Sequence, residues 1–282
     1  MKQKKIKKRN AFVLAALKWP LLVIFFVYTI FPFFWLFVTS IKDKKELYEF
    51  PVRYFPDKAS ISNYIEVFKM GNFGRYIINS FIIAITAALL VTIISAMSSY
   101  IFAKYEFKSK QAVFVIFMMT QMLPTAVGFA PMYVLMSRIG MVNQIPTVIL
   151  LLMGGQIPFG TILLIGFMKN VPKVLEEAAM IDGCSRIRSF FQVVLPLAKA
   201  GLFSVFIFVF LACWNDVYTS VLYLDSDANK TLNVAIYSMI GKYDINWGNV
   251  AAGTFVAIIP AILLFSFMKE LFVENIAGAV KE

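Results

Sequence analysis

Few residues in this chain are of a type that does chemistry. The stretch EEAAMIDG, Glu176 to Gly183, sets Glu176 and Glu177 side by side and adds Asp182, in a chain otherwise made of long apolar runs. The other polar candidates within apolar surroundings are Gln121, Gln156, Asn215 and Asp216. As a catalytic set this is incomplete. Histidine is absent from all 282 residues, which removes a histidine general base and His-ligated zinc or haem. Cys184 and Cys213 are the only cysteines, one in a polar loop and one in an apolar run, so neither a disulfide framework nor a metal site is expected. No carboxylate pair falls inside an apolar run, and a membrane enzyme is therefore not expected. The chain also has no GxxxxGK[ST] nucleotide loop. If it moves something uphill, another chain must supply the energy and press on this one.

The elements that hold these residues are membrane helices by composition. Hydrophobic residues make up 60% and charged residues 15%, against roughly 45–50% and about 25% in a soluble domain. The first apolar run, from Ala11 to about Val38, is too long for a signal-peptide core of about 7–15 residues and lacks a small-residue cleavage site, so it reads as a retained span. Windows of about 20 apolar residues, enough to cross about 30 Å of hydrocarbon, predict about six spans, near 14–38, 77–103, 112–136, 146–168, 201–224 and 250–268. Basic residues collect at the N-terminus (Lys2 to Arg9), after span two (Lys104, Lys108, Lys110) and after span four (Lys173, Arg186, Arg188, Lys199). Both termini are therefore expected in the cytoplasm, even though the long loop 41–76 also carries basic residues mixed with acids. The net charge of +11 is then a topology signal, and no nucleic-acid partner is expected, because no basic face on a folded domain is visible. Asp216 is the one acid inside a predicted span, toward the outer end of span five. A charge at a helix centre costs about 2.5–3.5 kcal/mol, and an ion-coupled secondary transporter or a channel would show several.

The loop after span four, NVPKVLEEAAMIDGCSRIRSFFQVVLPLAKAG, reads as two short helices. Asn170 is placed to cap the first, Pro172 suits its first turn, and Gly183 supplies the left-handed residue that ends it. Val174, Ala178 and Ile181 recur at helical spacing, giving one apolar face with small members that lets another surface approach the backbone. Ile187, Phe190, Phe191 and Val194 form the stripe of the second helix, and Pro196 is expected to break it. Helices lying in lipid headgroups are the alternative reading; three acids in one short helix count against it, since the inner leaflet is itself anionic.

The order Glu177-Ala178-Ala179, then Asp182-Gly183, then Leu195-Pro196 resembles the EAA loop of binding-protein-dependent ABC importer permeases, with Cys184 where alanine is common in that family. SISNYIEVF (60–68), NSF (79–81), SYIFAKYEF (99–107), MLPTAVGFAPMYVL (122–135), FLACWNDVYTSVLYL (210–224), Thr231-Leu232 and the tail FVENIAGAVKE (272–282) resemble the second, shorter permease subunit of maltose-type sugar importers. The resemblance implies an all-α integral membrane fold with a type I importer (MetI-like) core at 75–269, preceded at 1–74 by a basic N-terminus, one extra span and an external loop, and followed at 270–282 by a cytoplasmic tail. It also implies a transport subunit without catalytic residues or cofactors of its own, ATP and magnesium being held by two partner ABC ATPase subunits. The loop Glu176, Glu177, Ala178, Ala179, Asp182, Gly183, Leu195 and Pro196 would couple to those ATPases. A sister permease, an extracellular solute-binding protein, a carbohydrate substrate and the lipid bilayer of a bacterial cell are the further expected partners. Gln121, Gln156, Asn215 and Asp216 are candidates for the substrate path, since sugar hydroxyls need such donors and acceptors. For the two glutamines interhelical hydrogen bonds are the competing role, and for Asp216 with Trp214 an anchor at the membrane interface is. The outer loop 225–248 can contact the binding protein or be a polar connector. An ABC permease for a non-sugar solute shares the loop and would differ in the sugar-type segments.

Overall fold

The computed structural model describes residues 2–241 and 245–279, and side chains over 18–241 and 245–266. The basic side chains of Lys2 to Arg9, Lys242 and the side chains of the tail FVENIAGAVKE lie outside the described residues. All regular elements among the described residues are helical. Hydrocarbon offers the backbone no partners, so apolar runs of this length satisfy their own amides as helices.

Among the described residues four uninterrupted helices are long and apolar enough to cross a membrane: α1 (Lys2–Ser40, of which Lys18–Ser40 qualifies), α4 (Phe73–Lys104), α7 (Ile145–Asn170) and α14 (Trp247–Ala279, of which Trp247–Ser266 qualifies). Between α1 and α4 lie α2 (Lys44–Leu47) and α3 (Ser62–Lys69). Predicted span three is two 13-residue helices, α5 (Lys110–Met122) and α6 (Ala126–Arg138), bent by 99°. Each rises only about 20 Å. The break has a local cause: Pro124 disfavours the helical region for its predecessor, and Leu123 is extended at ψ 130°.

Predicted span five also differs. After α8 (Lys173–Ile181), α9 (Arg186–Ser189), a π-helical turn (Phe190–Val194) and α10 (Leu195–Leu197) run on to Ala198, where the chain bends by 76° into α11 (Lys199–Trp214). α11 stops at Asn215, and a separate α12 (Tyr218–Tyr223) takes up the rest of the predicted span. Asp216 therefore lies in the gap between two helices and not inside a span. Pro196 does not break the second loop helix as expected. It sits within helical backbone, its missing amide falling just after the π-helical turn, and the break comes at Ala198 (φ −89°, ψ 8°). With each bent pair counted as one span, the described residues hold six candidate spans by length and composition. In the loop expected on the outer side lies α13 (Leu232–Ile240), whose Leu232, Val234, Ala235 and Ile236 are buried, so that segment is more than a polar connector.

The chain forms two compact units, 1–70 with 239–256, and 71–238 with 257–282. In the first, Asn63 donates to the carbonyls of Ser40 (2.9 Å) and Lys42 (2.8 Å), Asn249 donates to Glu66 (3.0 Å), and Phe37 packs on Phe255. Lys42, only 2% exposed, donates to the Arg53 carbonyl and lies 5.0 Å from the Trp35 ring centroid. Part of the basic content of the loop 41–76 is thus internal structure. In the second unit α4, α7 and α11 pack on one another. Small residues set the spacing: a Cβ on Gly160 would stand 2.6 Å from Ser95 Oγ, and one on Gly201 2.4 Å from Phe167 Cγ.

Candidate functional site

Helix α8 begins at Lys173 because α7 runs through Asn170 and Pro172 holds Val171 extended (ψ 118°). Asn170 is thus the last residue of α7 and not a cap for α8, contrary to the sequence expectation. The helix ends in a Schellman arrangement: Gly183 N–H donates to the Met180 carbonyl (3.1 Å), Cys184 N–H donates to the Ala179 carbonyl (3.0 Å), and Gly183 has φ +89°. The turn then leads into α9, whose first amides are capped by Ser185 Oγ accepting from Arg188 N–H (3.3 Å).

The orientation of α8 is the informative feature. Glu176 is the residue it buries, 7% exposed, and its carboxylate accepts from the hydroxyl of Tyr100 on α4. Tyr100 in turn packs on Phe190 of the π-helical turn at 4.8 Å between ring centroids. Nearby, Lys104 Nζ donates to the Val171 carbonyl at 2.5 Å. The loop is therefore mounted on the end of α4 by polar bonds. The apolar face points away from the protein: Val174 is 70% and Ile181 86% exposed, and Ala178 between them is exposed as well. Glu177 and Asp182 are exposed beside it and make no ion pair among the described residues. Of the predicted stripe on the second helix, Phe190 and Val194 are buried whereas Ile187 and Phe191 face outward. Leu195 is half-buried and Pro196 exposed. The carboxylates of Glu176 and Glu177 thus part company, one anchoring inward and one facing out.

The candidate path residues separate. Gln156 and Asp216 line one cavity of about 480 Å³ together with Thr125, Gly128 and Met132. Gln156 has no hydrogen-bond partner among the described residues, so its amide is free on the wall. Asp216 is spent locally: its carboxylate accepts from Thr219 N–H (3.3 Å), Ser220 N–H (2.9 Å) and Ser220 Oγ (3.0 Å), capping α12. Gln121 is outside the cavity and donates to the Gly155 carbonyl (3.1 Å), an interhelical bond. Asn215 is exposed and does not line it. Trp214 is no interface anchor. It is buried, donates to the Ala257 carbonyl (3.0 Å) and stacks on Phe210.

Two features were not anticipated. A second cavity of about 550 Å³ is walled by Tyr133, Tyr218 and Tyr237, tyrosines that apolar runs conceal. Asn143, with φ +61°, receives bonds on its side-chain oxygen from Ser226 and Asn229 and so ties the 139–144 turn to the loop before α13. Asparagine is the residue that tolerates the left-handed region, which is the one sequence signal for it.

The family model described as binding-protein-dependent transport system inner membrane component matches residues 88–281. A diacetylchitobiose uptake system permease protein of Streptomyces coelicolor is 31% identical, over 95% of this chain and 88% of the relative, and a second one from that organism is 32% identical over 93% and 96%. The trehalose/maltose transport system permease of Thermococcus litoralis is 28% identical over 89% and 91%. Among solved structures, a bacterial ABC transporter for import of the polysaccharide alginate aligns with TM-score 0.80 at 20% identity, covering 93% of this chain and 97% of that one, which gives the fold. With a matching fold, a model spanning most of the chain and relatives aligned almost end to end, the chain is a membrane transport component rather than an enzyme, and it belongs to the family of binding-protein-dependent transport system inner membrane components.

Proposed function

We propose that this chain is the shorter permease subunit of an ATP-driven importer for a sugar or oligosaccharide, coupled to its ATPases through α8. The carrying observation is the mounting of that helix. An apolar face of Val174, Ala178 and Ile181 points outward between Glu177 and Asp182, while Glu176 binds the helix back to α4. Close approach is possible because the central residue is alanine, and the acids discourage burial of this face in an anionic leaflet. In the cycle we infer, a solute-binding protein delivers the sugar, closure of the ATPases on ATP displaces α8, and its bond to Tyr100 carries the displacement into α4. The spans then swing between inward- and outward-facing arrangements, and hydrolysis resets them. A sister permease completes the pathway. Both termini lie in the cytoplasm of a bacterial cell, on the side where the basic residues of the 104–110 turn and the α8 loop collect. The saccharide assignment is supported by the relatives named for diacetylchitobiose and for trehalose or maltose, aligned over 89–95% of this chain.

Reconstitution tests the reading. Uptake of labelled oligosaccharide in vesicles should require the ATPases, ATP and the binding protein together. Uptake by this chain alone would point to a secondary transporter, and uptake of only non-sugar solutes would overturn the substrate class.

A further inference from the structure

Apart from the coupling loop, the turn between α4 and α5 and the last turns of α7 enclose a groove of about 510 Å³. Its walls are of two kinds. Phe102, Phe107, Phe114 and Ile165 form the apolar part, with the rings of Phe107 and Phe114 centred 5.7 and 6.3 Å from that of Phe102. Lys108, Lys110 and Lys169 form the charged part, with Glu106 as the acid among the lining residues. Lys110 is already engaged: its Nζ donates to Glu106 (2.7 Å) and to the Tyr105 carbonyl (2.9 Å). Lys108 and Lys169 are exposed and make no ion pair among the described residues. Glu106, held below the usual carboxylate range first by its bond to Lys110 and further by the charges of Lys173 and Lys169, cannot neutralise them all. A positive charge that the protein leaves uncompensated thus sits beside an aromatic furrow, at the ends of two spans and the start of a third.

That pairing is the signature of an amphiphile. A free anion would use the lysines and leave the phenylalanines wet, and an acyl chain alone would have no use for the lysines. From the groove, the exposed Val115, Met118 and Met122 continue an apolar surface along the side of α5 that carries Gln111, the course an acyl chain takes away from a headgroup. We propose that this groove binds one anionic phospholipid, its phosphate between Lys108 and Lys169 and an acyl chain along Phe107, Phe114 and Ile165. Basic pockets between helices at the cytoplasmic boundary recognise lipid headgroups in this way.

The test uses the full chain, purified and delipidated in detergent, with native mass spectrometry read against added phosphatidylglycerol or phosphatidylcholine. Phosphatidylglycerol should be retained in preference to phosphatidylcholine. Retention should weaken roughly thirtyfold in Lys108→Gln/Lys169→Gln, about fivefold per lysine, and return in the Lys108→Arg/Lys169→Arg pair, which separates charge from folding. Equal retention of the two lipids, or no change in the glutamine variant, overturns the proposal. Displacement of the lipid by millimolar inorganic phosphate overturns it too, since the groove would then be a small-anion site.

Discussion

The Tyr100 hydroxyl donates to the buried carboxylate of Glu176, and this bond joins helix α8 to the membrane bundle. Removing the donor leaves a buried carboxylate short of a partner, which costs about 1–3 kcal/mol. Tyr100→Phe should therefore lower the thermal midpoint of the purified protein, whereas Glu176→Gln, which keeps an acceptor oxygen, should lower it less. Glu177→Gln changes an exposed side chain and should stay within about 0.5 kcal/mol while impairing ATPase-dependent uptake. Equal destabilisation by all three would refute the division of roles between the adjacent glutamates.

Gly183 is conformationally constrained and sterically free: φ is +89° and no atom lies within 4 Å of a Cβ built there. Substitution costs about 1–2 kcal/mol through the left-handed backbone, less for asparagine. Gly183→Asn should keep uptake within a few-fold. Gly183→Asp should abolish it by adding a further negative charge beside Asp182 on the exposed face, and Gly183→Pro, whose φ is locked near about −65°, by misdirecting α9. Membrane insertion, followed by fractionation and blotting, should be the same for all three.

At Gly201 the constraint is reversed. A Cβ there would meet Phe167 Cγ at 2.4 Å, and such overpacking costs about 1–3 kcal/mol. Gly201→Ala should lower the thermal midpoint by a matching amount. Gly166→Ala, where nothing lies within 4 Å, should be neutral or stabilising by up to about 1 kcal/mol.

Gln156 and Asp216 share a cavity and should respond differently. Asp216→Ala removes a cap worth about 1 kcal/mol and should show in stability first. Gln156→Leu removes an amide that bonds nothing among the described residues and should raise the KM for sugar uptake with the thermal midpoint nearly unchanged. A KM unaffected by Gln156→Leu would take this cavity out of the substrate path.

Asp227 is a surface carboxylate whose pKa is held below the usual aspartate value, chiefly by the hydrogen bond from Tyr76 (2.6 Å), with Lys230 and Asn72 adding to it. Because the folded-state value lies below the unfolded one, its contribution is fully present above about pH 3.9. It is lost as pH falls through the lower folded value. Asp227→Asn should flatten the thermal midpoint between about pH 4 and the acid limit, and a wild-type profile already flat there would contradict the assignment.

How much of this was legible in the sequence follows from the range of the forces involved. Spans one, two, four and six were readable because hydrocarbon imposes a length and a polarity on any crossing helix. The 99° bend at Leu123-Pro124-Thr125 and the gap between helices at Asn215-Asp216-Val217 were not, since hydropathy sees both as short interruptions of apolar runs. Gly183 as a helix stop was visible, because a left-handed residue leaves a local compositional mark.

The sequence by itself determined the solvent of this protein and its candidate spans, and it singled out the loop that we propose couples to an energy-supplying partner, all of which depend on composition and nearest neighbours. Only the tertiary structure decided which way helix α8 faces. Val174, Ala178 and Ile181 form an apolar stripe that in an isolated domain would turn inward. Here the inward position belongs to Glu176, because Tyr100, far away in the chain, supplies the donor that makes burying a carboxylate tolerable. The same kind of long-range pairing gathered Lys108 and Lys169 at one groove and left the Gln156 amide free while Gln121 was spent on Gly155. A partner's identity sets each of these outcomes, and linear spacing carries no record of it.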